Sequence, residues 1–358
     1  MRRIIDTLMI VYCCCVAPTT LAQYVITLKD TPIDVKPIGY YIADVKDGRV
    51  QKNGLGTIIT PADTKAGITI AGGVKNGLQR FISGNLPKNT ATTPVLYNLT
   101  QLNLHETRNA QGGINGKMTL SVSFERIGRN DTIKLVDSHV YLDYKRSGGA
   151  PNMNNYESVL RRLVLQTLQY FTDWLELNNG KHEALARGIE ITLMPDYKIN
   201  DKDTIYYETR KVTWDDFRGS PSGLNRYGAA IFSNFGYLSS FNVSGGIIRA
   251  NIQTRTYMVR GMSWANESAR TTYALAHEQL HFDITKLIVE RFKKKVSAMQ
   301  AESIDDLNSM IQFEYLESYR EMNSLQRAYD DETRHSQDTF KQAEWVEKIK
   351  TWLSELAG

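Results

Sequence analysis

His277, Glu278 and His281, within His277-Glu278-Gln279-Leu280-His281, are the residues whose types and spacing could do chemistry. Between Asn266 and Val296 the apolar residues Ala276, Leu280, Ile284, Ile288 and Phe292 recur at every fourth position, the buried stripe of an amphipathic helix over about 267–295. Two histidines four apart on such a helix project from one face, a turn from each other. That separation lets two imidazoles share a tetrahedral zinc ion. A carboxylate beside the first histidine reaches a water on that ion, whose pKa the metal lowers toward neutrality. Glu278 would accept the proton and pass it to a leaving amine. The chemistry expected is hydrolysis of an amide bond, with Zn2+ as cofactor and Glu278 as general base and then acid.

A catalytic zinc takes three protein ligands and leaves the fourth position to water. Three residues downstream compete for the third place. His335 follows a helical segment, about Ile304 to Tyr329, whose apolar stripe contains Ile304, Leu307, Ile311, Met322, Leu325 and Tyr329. Glu314 falls on that stripe, where a carboxylate is costly unless paired or bound to a metal. Asp330 could be a ligand, or an acceptor that holds a histidine in its tautomer. Spacing leaves the choice open. Asp283 could orient a ligand histidine or pair on the helix surface. Tyr329 could donate to an oxyanion, although its place on the stripe favours the core.

The elements around these residues divide the chain in two. Residues 23–180 read as a strand-rich α+β domain of unknown role. Strands are expected at 24–28, 96–104, 118–124 and 132–144, with a short helix at 78–83. A long helix from Tyr156 to Leu177 carries Leu160, Leu163, Val164, Leu168, Phe171 and Leu175 on one face. His105 and His139 sit in strand patterns and read as structural; His182 reads as surface. A second domain, 190–358, opens with strands around 189–194, 204–212, 229–237 and 247–257. It is helical beyond Trp264 and ends in a docking helix from Phe340 to Leu356.

Arg2 and Arg3, the apolar run Leu8–Val16 and the small residues before Gln23 read as a secretory signal peptide, residues 1–22. Its removal takes away Arg2, Arg3 and Asp6, so the formal net charge of +4 falls to +3. All three cysteines, Cys13, Cys14 and Cys15, lie within it. The exported chain would therefore have neither disulfides nor thiolate ligands. The mild charge contains no basic block dense enough for a nucleic-acid groove. No later apolar run is long enough to span a bilayer.

Thr213-Trp214-Asp215-Asp216-Phe217-Arg218-Gly219, Ser263-Trp264, His277 through Ile284, and Tyr329-Asp330 with Thr333 and His335 together resemble a bacterial family of predicted secreted zinc-dependent proteases, known as domain of unknown function 922. The resemblance covers roughly residues 205–350, and His-Glu-Gln-x-His-Phe-Asp-Ile is its most specific part. It implies a metallopeptidase-like helix pair and makes His335 the third ligand beside His277 and His281. Leu280 departs from a glycine usual before the second histidine, and Ser336 from a glycine usual after the last one.

The fold expected is α+β, a strand-rich domain followed by a zincin-like metallopeptidase domain with a mixed sheet. The protein would be an exported periplasmic or extracellular hydrolase acting on a peptide or protein, including cell-wall peptide. Two rivals stand beside it: a non-catalytic envelope-binding protein with a structural or vestigial metal site, and a zinc amidase of cell-wall crosslinks.

Overall fold

A computed structural model describes residues 24–357 except 32, 38, 87, 130 and 222–226. The proposed signal peptide lies outside the described residues. The chain divides into two compact units, the second beginning at Asn178, and both are α+β with mixed sheets.

The first unit is built on a seven-stranded sheet. Its long strands are β5 (Thr93–Arg108), β6 (Ile114–Ile127) and β7 (Thr132–Arg146), an antiparallel meander. Period-two alternation along much of β5 and β6 buries every second residue there. β2 (Tyr40–Asp47) and β3 (Gly56–Ile59) run parallel to opposite ends of one edge of β5. β4 (Lys65–Ile70) and β1 (Tyr24–Ile26) extend the sheet beyond β3. Helix α1 (Val74–Asn85) packs against β2 and β4. Helix α2 (Met153–Asn178) buries Leu160, Leu163, Val164, Leu168 and Phe171, as its apolar stripe predicts. Phe171 stacks on Phe124 at 4.1 Å and meets Tyr40 edge-on at 4.7 Å.

The second unit places three helices on a four-stranded sheet. β11 (Ser233–Ser244) pairs antiparallel with β12 (Ile247–Val259). The other edge of β12 takes β8 (Gly188–Leu193) in parallel and the short β9 (Thr204–Tyr206) antiparallel. A separate two-stranded ribbon joins β10 (Ala229–Ala230) to β13 (Trp264–Ala265). Helix α3 (Thr272–Ser297) lies against the sheet, with α4 (Ile304–Thr333) and α5 (Thr339–Ala357) packed on it.

The middle of α3 is therefore covered on several sides. Phe292 and Val296 join Ala250 and Ile252 of the sheet to Leu307 and Ile311 of α4. Leu280, Ile284 and Leu287 join Tyr329 of α4 to Trp345 and Ile349 of α5. Phe282 packs with Met258, Val212 and Phe217. Thr271 caps the helix by accepting from the Ala274 amide at 3.0 Å, a contact typically worth about 1 kcal/mol. No helix among the described residues is long and apolar enough to cross a membrane.

Candidate metal centre

His277 and His281 are both buried on α3, and their facing Nε2 atoms are 3.3 Å apart. Asp330, in the last turn of α4, brings its Oδ1 to 3.1 Å from the first and 2.9 Å from the second. The three donor atoms converge on one point. Ligands on a tetrahedral zinc at about 2.0–2.1 Å lie roughly 3.3 Å from one another, so the spacing suits such an ion.

The hydrogen-bonding partners sharpen the point. His277 Nδ1 is 3.2 Å from Gln342 Oε1, on α5. The same amide donates through Nε2 to the carbonyl of Tyr273, so its oxygen is the acceptor and His277 carries a proton on Nδ1. Nε2 then faces the Asp330 carboxylate as a lone pair in the neutral ring, or as a second N–H donor in the imidazolium. Two acceptors at that distance repel unless positive charge lies between them, either protons on the imidazoles or a metal ion shared by all three groups. Burial opposes ionisation of Asp330, yet its bonds from His277 and His281 hold it well below the usual carboxylate range. Burial likewise pushes His281 down, but Asp330 pulls it above the ordinary histidine value. The donor set fits a divalent cation held by neutral imidazoles and a carboxylate.

Glu278, beside His277 in sequence, is buried and is not one of the three clustered donors. Burial raises its carboxyl, with His281 and His277 opposing. Its Oε2 accepts from the Ile231 amide at 2.8 Å, just beyond β10, which leaves the other oxygen without a partner among the described residues.

Other residues singled out from the sequence fall around this core. Tyr329 is fully buried and stacks on the His277 ring at 4.5 Å, its hydroxyl 3.5 Å from the His277 carbonyl. It braces the site from inside the core. Asp283 accepts from Gln279 at 2.8 Å and bonds to Tyr207, so it ties α3 to the loop after β9. Glu314 pairs with Lys295 and is not in the donor cluster.

His335 lies beside the triangle but outside it. Its Nδ1 is 3.8 Å from Asp330 Oδ1, and its half-exposed ring sits 4.5 Å from that of Tyr227. The chain reaches it through three consecutive residues with positive φ, Arg334 (48°), His335 (51°) and Ser336 (69°). A left-handed conformation costs an ordinary side chain on the order of 1 kcal/mol, which explains why glycine suits the position of Ser336. Leu280, the other departure, is a packing residue, 3% exposed against Tyr329 and Trp345.

The string 213–219 forms the collar that holds this helix. Asp216 is fully buried and accepts from both Arg210 guanidinium nitrogens at 2.7 Å, and from the Thr213 amide and hydroxyl. Arg260 adds a third cationic contact at 3.2 Å. One residue earlier, the Val212 amide donates to Gln279 of α3. Gly219 passes so close to the Gly261 carbonyl that a Cβ there would lie 2.6 Å from it. Trp214 packs on Phe217, and Ser263 holds the Phe232 amide.

Residues 262–336 match the sequence model of a family described as "Bacterial protein of unknown function (DUF922)". The chain carries a DUF922 domain. The DUF922 segment contains α3, α4, all three donor atoms and His335, whereas Gln342 lies beyond it. A comparison with curated proteins gave no match. Among solved structures, protein XCC0632 from Xanthomonas campestris, which matches the family model DUF330, is 11% identical over 44% of this chain and 98% of its own, with a TM-score of 0.32. An uncharacterized protein is 10% identical over 42% of this chain and 95% of its own, with a TM-score of 0.25. Both likenesses are too slight to bear on the DUF922 site.

Gln342 was missed from the sequence, although a signal existed. It precedes Trp345 and Ile349 by three and seven residues, on the apolar stripe of α5, and a buried amide there needs a partner.

Proposed function

We propose that this protein is an exported zinc metallopeptidase of zincin-like design, with His277, His281 and Asp330 as metal ligands and Glu278 as general base. The observation that carries the reading is the convergence of two buried imidazole nitrogens and a partly buried carboxylate oxygen to within 3.3 Å of one another. Bound there, zinc would supply Lewis acidity, polarising a substrate carbonyl and acidifying a water. Glu278, anchored through one oxygen by Ile231, would use the other as the base that takes a proton from the attacking water. The same carboxyl would return the proton to the departing nitrogen as the C–N bond breaks, giving a carboxylic acid and an amine. Gln342 fixes the tautomer of His277, and Tyr329 fixes the plane of its ring. His335 sits at the rim, where it can contact substrate.

The 3.8 Å approach of His335 to Asp330 favours one second reading. A small movement would add a fourth protein donor, and a closed site is structural rather than catalytic. The intact Glu278 speaks for catalysis, since a closed site has no use for a buried base. Hydrolysis of peptide and cell-wall fragments distinguishes the two. Glu278→Gln should lower turnover by at least about a thousandfold while retaining zinc. Equal turnover in that variant would end the peptidase reading.

A further inference from the structure

Beside the donor triangle the outer face of α4 forms a cleft of about 430 Å³, lined by Arg320, Asn323, Gln326, Arg327 and Asp330. Spacings of three, four and three residues put Arg320, Asn323, Arg327 and Asp330 on one side of the helix. Asp330 thus belongs to both the metal triangle and the cleft. Arg327 lies one turn from it, roughly 5 Å along the axis, and Arg320 roughly 15 Å away. Arg327 is exposed and has no hydrogen bond or ion pair among the described residues. The exposed Arg320 pairs with the partly buried Glu317, a contact that water and salt weaken. Gln326 is held in place by Thr285.

We infer that this cleft is an anion subsite, in which Arg327, assisted by Arg320, binds a carboxylate of the substrate. The inference rests on the hydrolase reading and narrows its substrate class to acidic peptides. Asp330, the only carboxylate lining the cleft among the described residues, is already engaged by His277 and His281, so the Arg327 donors are left for a ligand. A guanidinium takes a carboxylate in a planar two-point contact. In an extended chain advancing about 3.3 Å per residue, an acidic side chain within about two to four residues of the scissile bond would reach Arg327. Asn323 can add an amide bond to the same group.

The test uses the full-length Glu278→Gln protein, which leaves peptides uncut, and fluorescein-labelled octapeptides of alanine and leucine. One glutamate is moved along the series, and each peptide has a glutamine twin. Fluorescence anisotropy at about 50 mM salt should show at least one glutamate position bound about tenfold more tightly than its twin. Arg327→Gln should abolish that preference and Arg327→Lys should keep part of it. No glutamate preference at any position, or a preference that survives in the Arg320→Gln/Arg327→Gln double variant, would overturn the subsite. Zinc measured on the same preparations separates the two claims. Zinc without the preference removes the subsite alone, whereas the preference without zinc removes the hydrolase and leaves an anion-binding cleft.

Discussion

His277, Glu278 and His281 were legible in the sequence because their relation is local: helical spacing alone puts both imidazoles on one face. The third donor depends on how the last turn of α4 faces α3, and on a C-terminal cap of non-glycine residues with positive φ. Neither follows from spacing, which left His335, Glu314 and Asp330 as rivals, and it was the resemblance alone that put His335 in the third place. Gln342 shows the same limit, since its contact with His277 spans 65 residues. Its position also makes a prediction. Gln342→Leu fills the space but leaves His277 Nδ1 without an acceptor, and second-shell changes of this kind typically weaken metal binding about 10- to 100-fold. Competition with a fluorescent zinc chelator should show that loss with the fold unchanged by circular dichroism. Unaltered affinity would mean that Gln342 does not orient the ligand.

Among the elements, those with long, regular patterns were the easiest to read. α2, α3, α4, α5 and the meander β5–β7 all fall close to the expected segments, because each buries one face of an amphipathic element. β3 and β4 were missed, being too brief to show a period, and β2 was missed because a register shift between Ile42 and Asp44 breaks its alternation. The strand expected over 204–212 stops at Tyr206, since the residues after it turn toward α3, where Val212 bonds to Gln279. Asp216, the hub of that collar, makes the prediction at this scale. Burial pushes its carboxyl up, but Arg210 and Thr213 pull it down to about 2 from an ordinary 3.8. A lowered folded-state value stabilises the fold above the ordinary pKa and ceases to as pH falls through the lowered one. Chemical denaturation should therefore find Asp216→Asn less stable by about 2 kcal/mol at pH 7, with the gap closing between pH 4 and 2. A gap independent of pH would show that the carboxylate charge is not what holds the collar.

At the scale of the whole molecule, each of the two units has its own sheet and its own buried core, and the clustered metal donors found among the described residues lie in the second. The most direct test of the central claim is therefore zinc stoichiometry by native mass spectrometry of the intact protein, beside His281→Ala, Asp330→Ala and His335→Ala. The result expected is one zinc per native chain, lost in the first two variants and retained in the third. A native chain that takes up no zinc when it is supplied, or an Asp330→Ala variant that binds it as tightly as the native protein, would contradict the metal centre as drawn from His277, His281 and Asp330.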